Sequence, residues 1–85
     1  MAEQHLLKTE QSCWEAIRDG AKTAEFRRND RGFEVGDELL LRCVFRNGFV
    51  DPNPDFLIRR QITHIVRGPA FGIPEGYAML SLSRS

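Results

Sequence analysis

Apolar residues first recur along this chain at intervals of three and four positions, the spacing that places side chains on one face of a helix. The residues concerned are Cys13, Trp14 and Ile17. Thr9 lies before them and has a side chain suited to a helix N-cap, and Gly20 lies after them, where a left-handed cap ends many helices. The pattern therefore predicts one helix over residues 10–19.

After the helix the period falls to two, the alternation typical of strands. The extended segments are residues 22–27, 38–45, 56–66 and 77–82, with an earlier one around Leu6 and Leu7. Turn signals separate them, including the dipeptide Asn47-Gly48 and the glycine- and proline-rich loop 68–76. One helix followed by short strands predicts an α+β fold, in which a small barrel of about five to six strands lies beside one main N-terminal helix.

Length and composition indicate an ordinary globular protein. With 85 residues, 41% of them hydrophobic and 28% charged, the chain can form one hydrophobic core, and we expect a single domain over residues 1–85. No apolar run approaches the roughly 18 residues that a membrane-spanning helix needs. The first residues lack the apolar segment of a secretory signal, so we expect a cytoplasmic protein.

Charge and cysteine content narrow the possible functions. Because 12 basic and 12 acidic residues give a net charge of zero, the chain has no general attraction for nucleic acid, and any polyanion has to bind locally. Cys13 and Cys43 both fall in apolar patterns and are expected to be reduced core thiols. No ligand spacing indicates a metal site, and no motif indicates a cofactor.

The most informative segment is residues 20–27, with the sequence Gly-Ala-Lys-Thr-Ala-Glu-Phe-Arg. Side chains two positions apart on a strand point the same way, so Glu25 and Arg27 share a face, and Lys22 approaches from the turn before the strand. These three side chains are candidates for the lining of a polar cleft. The alternative is an ion pair on a solvated strand face, which contributes about 0–1 kcal/mol.

Neighbouring polar and aromatic residues extend this candidate site. Arg28 and Asn29 follow the strand and would face a ligand from a loop, the guanidinium being suited to phosphate, although Asn29 can equally cap a turn. Tyr77, at a junction of loop and strand, is the best candidate to stack on a base at the rim, whereas Trp14 is expected in the core. His64, in an apolar strand, is expected to be a hydrogen-bonded structural residue.

The pattern Gly-x-Lys-x-x-Glu-x-Arg over residues 20–27 resembles the signature of ASCH domains, members of the PUA-like superfamily. The likeness continues further along the chain, in residues 27–31, 33–39, 71–72 and 75–77. It spans nearly the whole sequence and is similar to a small bacterial and phage branch of uncharacterised PUA-like proteins.

The resemblance implies a compact β-barrel with a helix beside a cleft. Clefts of this kind in the superfamily often bind RNA or modified nucleosides, which implies an RNA- or nucleotide-binding module as the function. The ligand-binding residues that this function implies are Lys22, Thr23, Glu25, Arg27, Arg28, Asn29 and Tyr77.

The same resemblance implies an alternative function. A few proteins with a similar motif are amidohydrolases that act on N-acetylated cytidine with a lysine, a threonine and a glutamate. Lys22 matches the lysine, but Glu25 stands at the threonine's place with Thr23 out of register, and Glu75 is the available later glutamate. The alternative is thus a small amidohydrolase acting on an acylated nucleoside, with Lys22, Glu25 and Glu75 as its catalytic residues.

Overall fold

The computed structural model describes residues 2–84, which form five strands and one α-helix. In chain order these are β1 (Gln4–Glu10), α1 (Gln11–Arg18), β2 (Ala24–Arg28), β3 (Glu38–Val44), β4 (Ile58–Arg67) and β5 (Tyr77–Leu82). A 3₁₀ turn at Pro54–Phe56 precedes β4. The expected single domain over 1–85 includes two terminal residues, 1 and 85, that lie outside the described part. Within that part, no helix combines the length and the apolar character needed to cross a membrane.

The strands form one curled sheet with the order β1-β3-β4-β5-β2. β1 pairs with β3 in parallel, and every other neighbouring pair is antiparallel. The sheet curls into a half-barrel, which brings its two edge strands, β1 and β2, close enough for the side chain of Arg27 on β2 to reach the backbone of β1. The predicted small α+β domain with one helix is confirmed, with five strands among the described residues.

The core fills the concave side of this sheet and the apolar face of α1. The alternation predicted for β3 is confirmed, because Leu39, Leu41 and Cys43 are buried there. Trp14 and Ile17 of α1 are buried as well, and the Trp14 Nε1–H donates to the Leu41 carbonyl at 3.0 Å. The two cysteines are free thiols, as expected, although Cys13 is only half-buried. Burial raises the pKa of the Cys43 thiol.

The helix begins one residue later than the sequence predicts, and Glu10 caps it instead of Thr9. Thr9 continues the alternation of β1 and is buried, so its side chain points into the domain. The carboxylate of Glu10 accepts the backbone N–H groups of Ser12 and Cys13. Hydrogen bonds from the Ser12 side chain and backbone lower the pKa of Glu10. The N-cap function is therefore supplied by an acid, which also complements the helix dipole.

A buried hydrogen bond between side chains joins the start of β1 to the turn before β3. His5 Nε2–H donates to Asp37 Oδ2 at 2.8 Å, and both residues are buried. The same carboxylate accepts the backbone N–H groups of Glu3 and Glu34, each at 3.0 Å. Asp37 therefore receives three hydrogen bonds from two separate segments and fixes their relative position.

His64 is exposed on β4. The prediction that it is a structural histidine within an apolar strand is therefore wrong. The register against β5 shifts between Ile62, which pairs with Leu82, and His64, which pairs with Ser81. An extra residue in one strand of a pair changes which face the following side chains point to. The irregularity therefore turns His64 outward.

Candidate functional site

The three polar side chains predicted around β2 come together. Arg27 donates from Nε to Glu25 Oε2 at 2.9 Å, and Lys22 Nζ lies 3.5 Å from Glu25 Oε1. Lys22 Nζ also donates to the carbonyl of Ala24. Each oxygen of the Glu25 carboxylate thus faces a cation of the same chain.

Two arginines, one on β2 and one on the segment after it, reach across the gap between the edge strands β1 and β2, which we call the seam. Arg27 Nη2 donates to the Lys8 carbonyl at 2.6 Å and to Thr9 Oγ1 at 3.3 Å. Arg31 Nη1 donates to the Leu6 carbonyl at 3.2 Å. Carbonyls two positions apart on a strand point to the same side, so both accepting carbonyls lie on one edge of β1. Across the seam, the guanidinium groups of Arg27 and Arg31 therefore donate the hydrogen bonds that backbone N–H groups donate between paired strands.

Glu25 is directed into the domain and not toward solvent. It is only 6% exposed, and its two oxygens are engaged by Arg27 and Lys22. Neither of the two cavities described below is lined by any of these three residues. The Glu25–Arg27 pair therefore has a structural role, which is to hold β2 against β1 across the seam.

The opposite face of β2 carries a different group of side chains. Phe26 stacks on Tyr77 of β5, with ring centroids 5.4 Å apart and planes 9° apart. The Arg28 guanidinium lies over the Tyr77 ring, 5.8 Å from its centroid. Hydrogen bonding and charge interaction with the Tyr77 side chain raise the pKa of Arg28. We call Phe26, Arg28 and Tyr77 the outer aromatic face.

The register of β2 on β5 explains this grouping. Arg28 pairs with Tyr77, and Phe26 pairs with Met79, so the residues of the outer aromatic face are neighbours on one side of the sheet. Phe26 is 46% exposed, a large value for a phenylalanine in a strand. Sequence reasoning missed Phe26, although the alternation that puts Glu25 and Arg27 on one face of β2 also puts Phe26 and Arg28 on the other.

Asn29 and Thr23 lie outside both groups. Asn29 Oδ1 accepts the Phe33 N–H at 3.2 Å, and the Asn29 N–H donates to the Gly76 carbonyl at 2.8 Å. Asn29 therefore caps a turn, which is the alternative that the sequence left open. Thr23 is exposed, and its carbonyl accepts the Leu82 N–H at 2.9 Å.

The three catalytic candidates of the alternative function are not assembled. In the antiparallel pairing, Ala24 faces Ser81 and Arg28 faces Tyr77. Lys22 precedes one end of this ladder and Glu75 precedes the other. The two ends are four residue steps apart along the strand, a distance of roughly 13 Å at about 3.3 Å per step. The structure brings Lys22 and Glu25 together but leaves Glu75 at the far end of β2.

A cavity of about 400 Å³ lies at the β3–β4 pair and is lined by Gly36, Glu38, Arg59, Arg60 and Gln61. Its arginines are engaged within the protein. Arg59 pairs with Glu38 at 3.4 Å, and Arg60 donates to the Ile17 carbonyl at 3.1 Å. These contacts favour a structural use of both guanidinium groups over anion binding.

Comparison with known proteins identifies two similarities. A family model described as "Domain of unknown function (DUF3850)" matches residues 4–82. The "Uncharacterized 12.9 kDa protein in GpA 3'region" of Escherichia phage P2 is 42% identical over 41 residues, which is 48% of this chain. The match spans 38% of the length of the phage protein. The likeness to a phage protein that the sequence indicated is confirmed.

Proposed function

Because the chain belongs to the DUF3850 family, whose description assigns no activity, we propose its function from the geometry: it is an RNA- or nucleotide-binding module related to ASCH domains of the PUA-like superfamily. The signature over residues 20–27 supports the relationship, as does a curled sheet of five strands with one helix. The outer aromatic face is the surface that binds the ligand.

The observation that carries this proposal is the stacked pair of Phe26 and Tyr77 with Arg28 above it. Bases of single-stranded nucleic acid stack on aromatic rings of this kind, and such a contact contributes about 1–3 kcal/mol per base. A guanidinium beside the rings can stack on a further base or donate to phosphate. Aromatic and basic side chains therefore alternate on one exposed side of β2, where a strand of RNA would lie.

Exposed positive charge also lies along the seam even though the chain is neutral overall. Arg31 is exposed on the segment after β2, and Lys8 is exposed on β1 at the seam. A protein that neutralises few phosphates binds with modest affinity, which falls as the salt concentration rises. The charge distribution thus favours a short single strand or a nucleotide over a long duplex.

The loop 68–76 contributes a further exposed ring. Phe71 is 94% exposed and has a positive φ of 49°. A bulky residue in this conformation is strained, and such strain is often found at functional sites. The same loop contacts the end of β2, through the bond from the Asn29 N–H to the Gly76 carbonyl. Phe71 therefore belongs to the loop beside the outer aromatic face, where it is available to a ligand.

Titration of a short fluorescently labelled single-stranded RNA, followed by anisotropy at low salt, tests this function. We expect Tyr77→Ala and Phe26→Ala each to weaken binding roughly 10-fold, because each removes one stacking surface. Arg28→Ala should weaken binding. It should also reduce the slope of log affinity against log salt concentration by about 1, the effect of losing one phosphate contact. Competition with mononucleotides separates binding of a strand from binding of a free nucleotide.

Phe49→Ala is the matched control. Phe49 is 56% exposed and also stacks on another ring, that of Phe45, but it lies outside the outer aromatic face. We expect this variant to bind like the wild type. The proposal is contradicted if the wild type binds neither RNA nor nucleotides at low salt, or if Phe49→Ala weakens binding as much as Tyr77→Ala does.

A further inference from the structure

A second cavity, of about 250 Å³, opens between α1, the end of β3 and the segment before β4. Its lining residues are Trp14, Glu15, Arg18, Cys43, Phe45, Asp51 and Phe56. Since a water molecule occupies about 30 Å³ in the liquid, the cavity has room for roughly eight non-hydrogen atoms. This volume suits one small molecule.

Three aromatic rings contribute to the cavity wall, those of Trp14, Phe45 and Phe56, and they present no free donor. The indole N–H of Trp14 already donates to the Leu41 carbonyl, so Trp14 offers its ring to the cavity. Phe45 is held in place by stacking on Phe49, with centroids 6.1 Å apart. Phe56 is exposed on the 3₁₀ turn and closes one side. A guest has to match an apolar, aromatic surface.

The charged groups at this cavity are mainly acidic. Glu15 and Asp51 contribute two carboxylates, which are acceptors only. The one lining cation, Arg18, donates from Nε to Asp19 Oδ1 at 2.9 Å and is partly neutralised by it. Burial raises the pKa of the Cys43 thiol, the charges of Asp51 and Glu15 raise it further, and the charge of Arg18 lowers it. An anionic guest would be repelled.

Arg18 shows which kind of group this surface accepts. Its guanidinium lies over the Trp14 ring, 5.4 Å from the centroid. Aromatic faces attract cations through the ring quadrupole, and tryptophan does so best. Rings together with two carboxylates form the type of site that recognises an organic ammonium ion. We propose that this cavity binds a small organic cation, an ammonium or guanidinium group on a short apolar stem.

Trp14 is the single tryptophan of the chain, so its intrinsic fluorescence reports directly on this cavity. The probes are choline and its neutral isostere 3,3-dimethyl-1-butanol, which has the same shape without the charge. We expect a saturable change of fluorescence with choline and roughly 10-fold weaker binding of the alcohol, because the attraction is between the cation and the rings and carboxylates. Equal affinity for both probes, or no saturable change with choline, would overturn the proposal.

Substitutions of the charged residues that line the cavity identify which charges affect choline binding. Glu15→Gln and Asp51→Asn should each weaken choline binding roughly 3- to 10-fold and leave binding of the alcohol unchanged, because each removes one nearby negative charge. Arg18→Gln should tighten choline binding, because a competing cation leaves the Trp14 ring. Asp55→Asn, which changes a carboxylate of the same loop outside the cavity, should behave like the wild type.

The substituted residues are exposed or half-buried, and a far-UV circular dichroism spectrum verifies that each variant is folded. If choline binds equally well to Glu15→Gln, Asp51→Asn and the wild type, the site is not at this cavity and the proposal is wrong. Tyr77→Ala should leave the choline titration unchanged, so that failure of the cation site and failure of the RNA-binding surface are separate results.

Discussion

Arg27→Met is expected to lower the free energy of unfolding by roughly 3 kcal/mol. The variant keeps an apolar stem of similar length but removes the guanidinium. Glu25 is then left buried with Lys22 as its one remaining cation, and the carbonyl of Lys8 and the Thr9 hydroxyl each lose a donor. The buried Glu25 charge is then compensated only in part, by Lys22, and the loss of its closer partner is the main source of the destabilisation. Urea denaturation measures it.

Arg31→Met is the matched control for this experiment. Arg31 crosses the same seam, but it is exposed and contacts a single carbonyl, that of Leu6. We expect it to cost no more than about 1 kcal/mol. In a double-mutant cycle, Glu25→Gln combined with Arg27→Met should cost less than the sum of the single changes, because Glu25→Gln removes the buried charge that Arg27→Met strands. Equal losses for Arg27→Met and Arg31→Met would show that the Glu25 pair does not hold the seam.

Asp37→Ala should destabilise the domain by roughly 3–5 kcal/mol, since it removes the acceptor of three hydrogen bonds at a buried position. Asp37 is only 3% exposed, and the donors left behind are the Glu3 N–H, the Glu34 N–H and the His5 imidazole. The His5 donor is buried and the two backbone donors are part-buried, so each loses a partner that the folded domain supplies. A loss below about 1 kcal/mol would contradict this interpretation.

The same carboxylate makes stability depend on pH in the acid range. Burial raises the pKa of Asp37, but hydrogen bonds from the Glu3 N–H, from His5 and from the Glu34 N–H lower it, and the net pKa lies below the ordinary value of 3.8. A depressed pKa in the folded state contributes stability that is present above the unfolded value and is lost as the pH falls through the folded one. We therefore expect stability to decrease as the pH drops below about 3.8.

Asp37→Asn should remove this contribution and flatten the stability curve below the unfolded pKa, because the amide does not titrate. Asp55→Asn, an exposed carboxylate on the turn before β4, should leave the curve unchanged. Urea denaturation across the acid range gives the comparison. The same acid slope in Asp37→Asn and the wild type would show that another group is responsible.

The contacts across the seam also affect how readily the edge strands of the sheet pair with other chains. β1 and β2 end the sheet order, and strand edges with free backbone groups promote association with other chains. Arg27 and Arg31 cover two carbonyls of the β1 edge with positive charge. Charged groups at an edge disfavour pairing with another strand. The cluster that looked like a ligand site in the sequence thus has a demonstrable role in closing the domain, and Phe26 and Arg28 remain outward for a ligand.

Local pattern by itself determined which side chains of α1 and β3 point inward. Helical spacing identified Trp14 and Ile17 as buried, and alternation identified the buried side of β3. Lys22, Glu25 and Arg27 are close in sequence, so a turn and a strand were enough to bring them together. These properties follow from backbone geometry over a few residues, and the sequence displays them directly.

Tertiary structure decided which elements are neighbours and what each polar group contacts. The parallel pairing of β1 with β3, the seam, and the pairing of Arg28 with Tyr77 all join residues far apart in the chain. The bulge that exposes His64 likewise arises from pairing and not from local pattern. Periodicity predicts which face of a strand a side chain occupies. The residue that lies next to it on that face depends on strand order and register, and these are set by the packing of the whole domain.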